Sequence, residues 1–302
     1  MAQKTVKDAL LEIDENELAR IARVANRFLA NRPIVTDGSW HHRYRSGRGM
    51  DFLDFRDYVP GDDLRMIDWR ASARSTNLLV RQFLDDAFSQ WYVCLDRSAS
   101  MGIHGAEKWR LAINLAAAWS YILLQMNARA GLLTFSEKVD AHCPARRGRN
   151  QYERTKRALL ASAPRRTGGG SRLQACSREL GRHVSVVVIS DFLAGDLMQP
   201  GLDRLRKLGG RVHALQVLSR REIERGPQAP VTLRDIESGK ELFVDEDLEG
   251  SERGADQRVK HLQSALADYC RNNDIPLTSC ETGQSSKAII VEHLMRACGR
   301  HG

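Results

Sequence analysis

No stretch of the 302-residue chain approaches the roughly 20 uninterrupted apolar residues that a membrane-spanning helix needs. The most apolar helical run, LAINLAAAWSYILLQM, is broken by Asn114 and Ser120 and reads as a buried helix. Residues 1–20 mix acids with bases and lack the apolar centre of a secretory signal, so a soluble, cytoplasmic protein is expected. The six cysteines (Cys94, Cys143, Cys176, Cys270, Cys280, Cys298) include no CxxC pair. That spacing argues against a zinc site and leaves reduced core thiols. The nine histidines form no ligand set; His41, His42 and His104 read as surface residues. Also absent are GxxxxGKS/T, GxGxxG after a strand, GxSxG and HExxH, so the common phosphate-binding, dinucleotide-binding and hydrolytic motifs are missing. There is no internal repeat and no low-complexity segment.

What is present is ordinary in bulk: 42% hydrophobic and 28% charged residues suit a globular protein. The net charge of +8 raises nucleic acid as a partner, but the excess is dispersed and no binding signature accompanies it. Two local clusters stand out, Ala145 to Arg149 and Pro164 to Arg172.

From Trp91 onward, short apolar runs alternate with amphipathic stretches, the pattern of an α/β fold whose mostly parallel central sheet is flanked by helices. Strands are expected at 91–95, 130–135, 184–190, 212–218 and 275–280, with 137–143 turning back as a hairpin. Helices are expected at 108–126, 151–161, 173–181, 197–208 and 286–297, and a long one capped by Ser251. The run VSVVVIS has no polar alternation, which places it at the centre of a sheet covered on both faces. The chain divides at about residue 89. Residues 1–89 form an N-terminal extension, with an amphipathic helix over 14–29, expected to pack on the body; residues 90–302 form the α/β domain, with a β-hairpin insertion near 226–250.

The first strand ends in LDRSASM, which sets Asp96, Ser98 and Ser100 at alternate positions on the carboxyl edge of the sheet, where α/β folds build ligand sites. With right-handed crossovers, VVVIS points the same way and delivers Asp191 beside Asp96. The glycine-rich TGGGSR loop lies on the same rim and offers Ser171, with Thr167 as the less natural choice. Two carboxylates and three hydroxyls suit a hard cation, Mg²⁺ or Mn²⁺. Arg165, Arg166 and Arg172 flank the second loop and would favour an acidic partner.

These three segments resemble the metal-ion-dependent adhesion site of von Willebrand factor A domains. DRSAS is similar to the DxSxS loop, GGGSRL to the second loop with Ser171 where Thr is usual, and ISDF to the third loop with Phe192 where glycine is usual. The resemblance implies a Rossmann-like von Willebrand factor A-type fold, with Asp96, Ser98, Ser100 and Ser171 as direct or near-direct ligands and Asp191 direct or through water. Upstream, RSGRGMDFLDFRDYVPGDDLRMIDWRASAR (Arg45 to Arg74) and LRDIESGKELFVD resemble a bacterial family known as the domain of unknown function number fifty-eight, over about Arg43 to Cys280. That likeness implies association with a MoxR-type AAA+ ATPase. Many relatives carry membrane helices near the N-terminus, and this sequence shows none.

The expected function is a metal-dependent protein-interaction module, not an enzyme, in which a partner's Asp or Glu completes the coordination of the ion. A metal-dependent phosphohydrolase using TGGGS as a phosphate cradle is the second reading; it lacks an evident general base. Nonspecific nucleic-acid binding through the basic clusters is the third, and predicts steep salt dependence without metal. In the upstream segment, Asp62 and Asp63 are expected to cap the following turn, and Arg56, Arg65, Arg70 and Arg74 to interleave with Asp54, Asp57 and Asp68 as an ion-pair network.

Overall fold

The computed structural model describes residues 11–29, 51–84, 90–103, 106–165, 170–194, 198–220, 222, 233–234, 241–242 and 261–299. Arg166, Thr167, His41, His42, His104 and Ser251, singled out from the sequence, lie outside them. A six-stranded sheet forms the body. Its strands are β3 (Gln90–Asp96), β4 (Arg129–Phe135), β5 (Val139–Arg146), β6 (Ser185–Ser190), β7 (Val212–Leu218) and β10 (Leu277–Glu281), in the order β10-β7-β6-β3-β4-β5. All neighbours are parallel except β5, which runs antiparallel to β4 at the edge, as the hairpin reading expects.

Why these residues form strands is visible in how they bury. Along β3, Trp91, Val93 and Leu95 face one core, while Tyr92 and Cys94 face the other. Both faces are covered, so side chains that alternate in direction are all apolar. The first core is closed by α1 (Glu15–Leu29), α3 (Ala106–Gln125) and α8 (Ser286–Gly299). α3 runs through it with Trp119, Ile122 and Leu123 fully enclosed, which explains a helix with little polar face. The second core is closed by α5 (Gln174–Glu179), α6 (Gln199–Arg206) and α7 (261–272). Between β5 and these, α4 (Arg149–Ala161) packs on α3. Gly131 is required by close packing, since a Cβ there would lie 2.4 Å from the Tyr92 ring. Five described cysteines are free thiols, and Cys94, Cys176, Cys270 and Cys280 are buried.

The amphipathic N-terminal helix packs as expected: α1 lays Leu18, Ile21, Ala22 and Ala25 against α3 and α8. The signature segment behaves differently. β1 (Asp51–Asp57) and β2 (Leu79–Leu84) form a separate antiparallel pair, and α2 (Trp69–Ser72), preceded by a 3₁₀ turn at Leu64–Met66, packs on β2. The main contacts of this unit are among its own elements. Asp63 and Asp68 accept backbone N–H bonds from Arg65 and from Arg70 and Ala71, each 3.0 Å. Asp62 instead bonds back to the Val59 N–H at 2.9 Å. These carboxylates organise backbone turns, and Asp68 also pairs with Arg81 at 3.5 Å; the side chains of Asp54 and Arg56 in the expected network lie outside the described residues. In the insertion, β8 (Leu233–Arg234) and β9 (Glu241–Leu242) pair antiparallel.

Candidate metal site at the switch point

The sheet changes direction of winding at β3. From β3 the chain moves to β4 on one side, and β6 later takes its place on the other. The carboxyl ends of β3 and β6 thus diverge into separate loops, the place where an open α/β sheet leaves a crevice. Register brings Leu95 opposite Ile189, so Asp96 and the Ser190–Asp191 step lie side by side on one edge.

Asp96 is the hub and is fully enclosed. Its Oδ1 accepts the Ser98 N–H at 2.8 Å, an Asx turn that folds the first loop back over the strand end. Its Oδ2 accepts two hydroxyls, Ser171 and Ser190, each at 2.6 Å. Ser98 and Ser100 hydroxyls are 3.0 Å apart. Ser98, Ser171 and Asp191 are buried with Asp96, and Ser100 is the half-buried member. All five residues singled out as metal ligands therefore gather on one rim.

Asp191, which also bonds the Ser100 side chain, has a second set of partners. Its Oδ1 accepts the Leu193 N–H at 3.1 Å, and its Oδ2 accepts the Lys108 ammonium at 2.8 Å. The next residue, Phe192, has φ of 55°, the left-handed region that glycine favours, and its side chain is buried in the second core. The loop thus keeps the backbone shape that glycine would give, and burial of the ring offsets a strain of about 1–2 kcal/mol.

Lys108, Ser190 and Glu222 were not singled out by the sequence. Lys108 Nζ donates to three acceptors: the Ser100 carbonyl at 3.1 Å, Asp191 at 2.8 Å and Glu222 at 2.8 Å. Glu222 in turn accepts the Ser219 N–H, while its own N–H donates to the Ser219 hydroxyl. That reciprocal pair is a capping box, and Ser-x-x-Glu after a strand was the signal that would have marked Glu222. Lys108 had no such signal, because a lysine in the first turn of a helix is ordinarily solvated.

Electrostatics separate the two aspartates. Burial raises the Asp96 carboxyl to about 6, and the neighbouring Asp191 charge adds to this against the bonds from Ser171, Ser190 and Ser98. Burial also pushes Asp191 upward, but the Lys108 ammonium outweighs it and holds Asp191 below the usual carboxylate range. The same pairing keeps Lys108 raised despite its desolvation. Three carboxylates (Asp96, Asp191, Glu222) face one ammonium, so the cluster carries a surplus of two negative charges when fully ionised. A divalent cation has the charge to cancel that surplus. Among the described residues no group of three His, Cys, Asp or Glu side chains could hold a metal, so a cation here would rest on Ser98, Ser100 and Ser171 hydroxyls with Asp96. Neutral oxygen donors beside one or two carboxylates fit a hard ion.

The flanking arginines are not equivalent. Arg165 donates to Asp140 at 2.6 Å, and Asp140 also accepts the Ser136 hydroxyl, so the Arg165 charge is largely spent inside the fold. Arg172 is exposed.

A family model described as "Protein of unknown function DUF58" matches residues 54–261. Uncharacterized proteins of Mycobacterium bovis and Mycobacterium tuberculosis are 31% identical over 295 residues, covering 93% of this chain and 90% of theirs. Among solved structures, an aerotolerance-related membrane protein from Bacteroides fragilis aligns at 15% identity and a TM-score of 0.41, over 68% of this chain and 98% of that one. Proximal thread matrix protein 1 from the mussel byssus aligns at 17% identity and a TM-score of 0.34, over 42% and 36%.

Proposed function

The chain belongs to the DUF58 family of proteins of unknown function, and from that premise we propose that it is a metal-dependent protein-interaction module of the von Willebrand factor A type. The ion is Mg²⁺ or Mn²⁺, held by Asp96, Ser98, Ser100 and Ser171, with Asp191 acting through water. One observation carries the reading: three loops far apart in sequence bring five hydroxyl-bearing or carboxylate residues into one hydrogen-bonded cluster with two uncompensated negative charges.

When bound, the ion supplies a Lewis-acidic position that an Asp or Glu of another protein can occupy. The chain's own residues prepare that position. Asp96 fixes the first loop through the Ser98 N–H and orients the Ser171 hydroxyl. Ser100, half-buried, marks the side from which a partner would approach, and Arg172 adds positive potential there. The partner indicated by the family likeness is a MoxR-type AAA+ ATPase, for which this protein would serve as an adaptor.

Capture of the purified ATPase on immobilised protein tests the reading. It is expected to require Mg²⁺ or Mn²⁺, to fall at least tenfold in EDTA, and to be lost in Asp96→Asn. Capture that is equal with and without EDTA contradicts it.

A further inference from the structure

Among the described residues Lys108 is the one buried lysine, and all three of its ammonium protons are used. Its acceptors come from three separate segments: the first metal loop (Ser100), the third (Asp191) and the turn after β7 (Glu222). The second oxygen of Glu222 is taken by the Ser219 N–H, so this half of the cluster is complete as it stands. The Asp96 half is not. There the carboxylate meets hydroxyls and an amide N–H, and no positive group bonds to it among the described residues.

We propose that Lys108 is a resident counter-cation: it holds Asp191 and Glu222 in place without metal, keeps Asp191 off direct coordination, and by its charge keeps the divalent ion exchangeable. The inference rests on the metal-site reading above and deepens it. A site whose fold depended on the ion would hold it permanently, as structural sites do. Here an ammonium already bonds both carboxylates of the deep side and offsets one of their two charges, so the ion is free to arrive with a partner and leave with it. A unit positive charge bonded to Ser100 and Asp191 also opposes a cation held by the same loops, since like charges in a protein interior interact strongly.

The test compares wild type, Lys108→Met and the double variant Lys108→Met/Glu222→Gln, using Mn²⁺ titration read by the loss of the free-ion EPR signal, and thermal melts in EDTA and in Mg²⁺. Removing one partner of a buried ion pair leaves uncompensated charge. Lys108→Met is therefore expected to melt roughly 5–15 °C lower in EDTA and to regain most of that in Mg²⁺, whereas wild type shifts by only a few degrees. The double variant, which restores a surplus of two charges without the ammonium, is expected to hold Mn²⁺ at least tenfold tighter than wild type. If Lys108→Met does not fold in either condition, the double variant decides. Mn²⁺ binding to wild type with unchanged or weaker binding to the double variant overturns the inference and leaves the metal site standing. No Mn²⁺ on wild type overturns both.

Discussion

The six-stranded body and the small unit over residues 51–84 depart from ordinary protein surfaces in opposite ways. The body buries what is usually outside: Asp96, Lys108 and Asp191 are at most 1% exposed. The small unit exposes what is usually inside: Trp69, Leu64 and Val59 are 66%, 62% and 58% exposed. Buried polar groups are tolerated only when they are bonded or have a task, and the body satisfies nearly every atom of its cluster. In the small unit Asp62, Asp63 and Asp68 are taken up by backbone turns, while Val59, Leu64 and Trp69 beside them face outward. One region thus encloses charge at the sheet's edge, while the other spends charge on local structure.

Five substitutions, one of them read by pH titration, sharpen this contrast. The largest effect is expected from Asp96→Ala, which strips the acceptor from the Ser98 N–H and the Ser171 and Ser190 hydroxyls. Orphaned buried donors cost about 1–3 kcal/mol each, so a loss of roughly 3–5 kcal/mol in denaturant unfolding is expected. A loss below about 1 kcal/mol would mean that the cluster is wetter than its burial implies. In the small unit, Ile67 is its buried anchor, bridged to Val80. Ile67→Ala is expected to cost about 2–4 kcal/mol, read as faster amide exchange across 51–84. Exchange spreading into β3 and β6 would show that unit and body unfold together.

These first two effects mark what could be read from the chain. The strand ends at Asp96 and Ser190, the central position of VSVVVIS and the gathering of three loops follow from apolar runs and right-handed crossovers. Local pattern carries such features. Lys108 is different, because its partners lie 83 and 114 residues away and nothing in its helical neighbourhood distinguishes it from a solvated lysine. The outward-facing Trp69 was equally hidden, since an aromatic beside charged residues is ordinarily core. It is the first residue of α2, directly after the Asp68 cap, a position legible only once the turn is built.

The body holds a second buried polar chain that tests the same idea at smaller scale. His213 Nδ1 lies 2.9 Å from His293 Nε2, and His293 Nδ1 lies 2.9 Å from the Thr278 hydroxyl, beneath Trp119. Burial, with the neighbouring His293 adding, holds His213 well below its usual value of 6.5. The folded state therefore keeps it neutral while the unfolded state takes a proton. Stability from this group is complete above about pH 6.5 and falls as pH drops toward the folded-state value, by at most about 1.4 kcal/mol per pH unit. His213→Asn should flatten that slope between pH 6.5 and 5; an unchanged slope would assign it to other groups. Next comes Asp68→Ala, which removes the α2 cap and is expected to cost about 1 kcal/mol of local stability by amide exchange at Arg70 and Ala71. The smallest effect belongs to Trp69→Ala, expected within about 0.5 kcal/mol of wild type in the isolated protein because the ring is mostly in water. A loss above 2 kcal/mol would show that Trp69 packs in solution.

Crystals grown with Mn²⁺ and measured by anomalous scattering bear most directly on the central claim. One manganese peak among Asp96, Ser98, Ser100 and Ser171, with Lys108 still bonded to Asp191, is the predicted result. A cluster free of manganese at saturating concentration, or a peak that displaces Lys108 from Asp191, would contradict it.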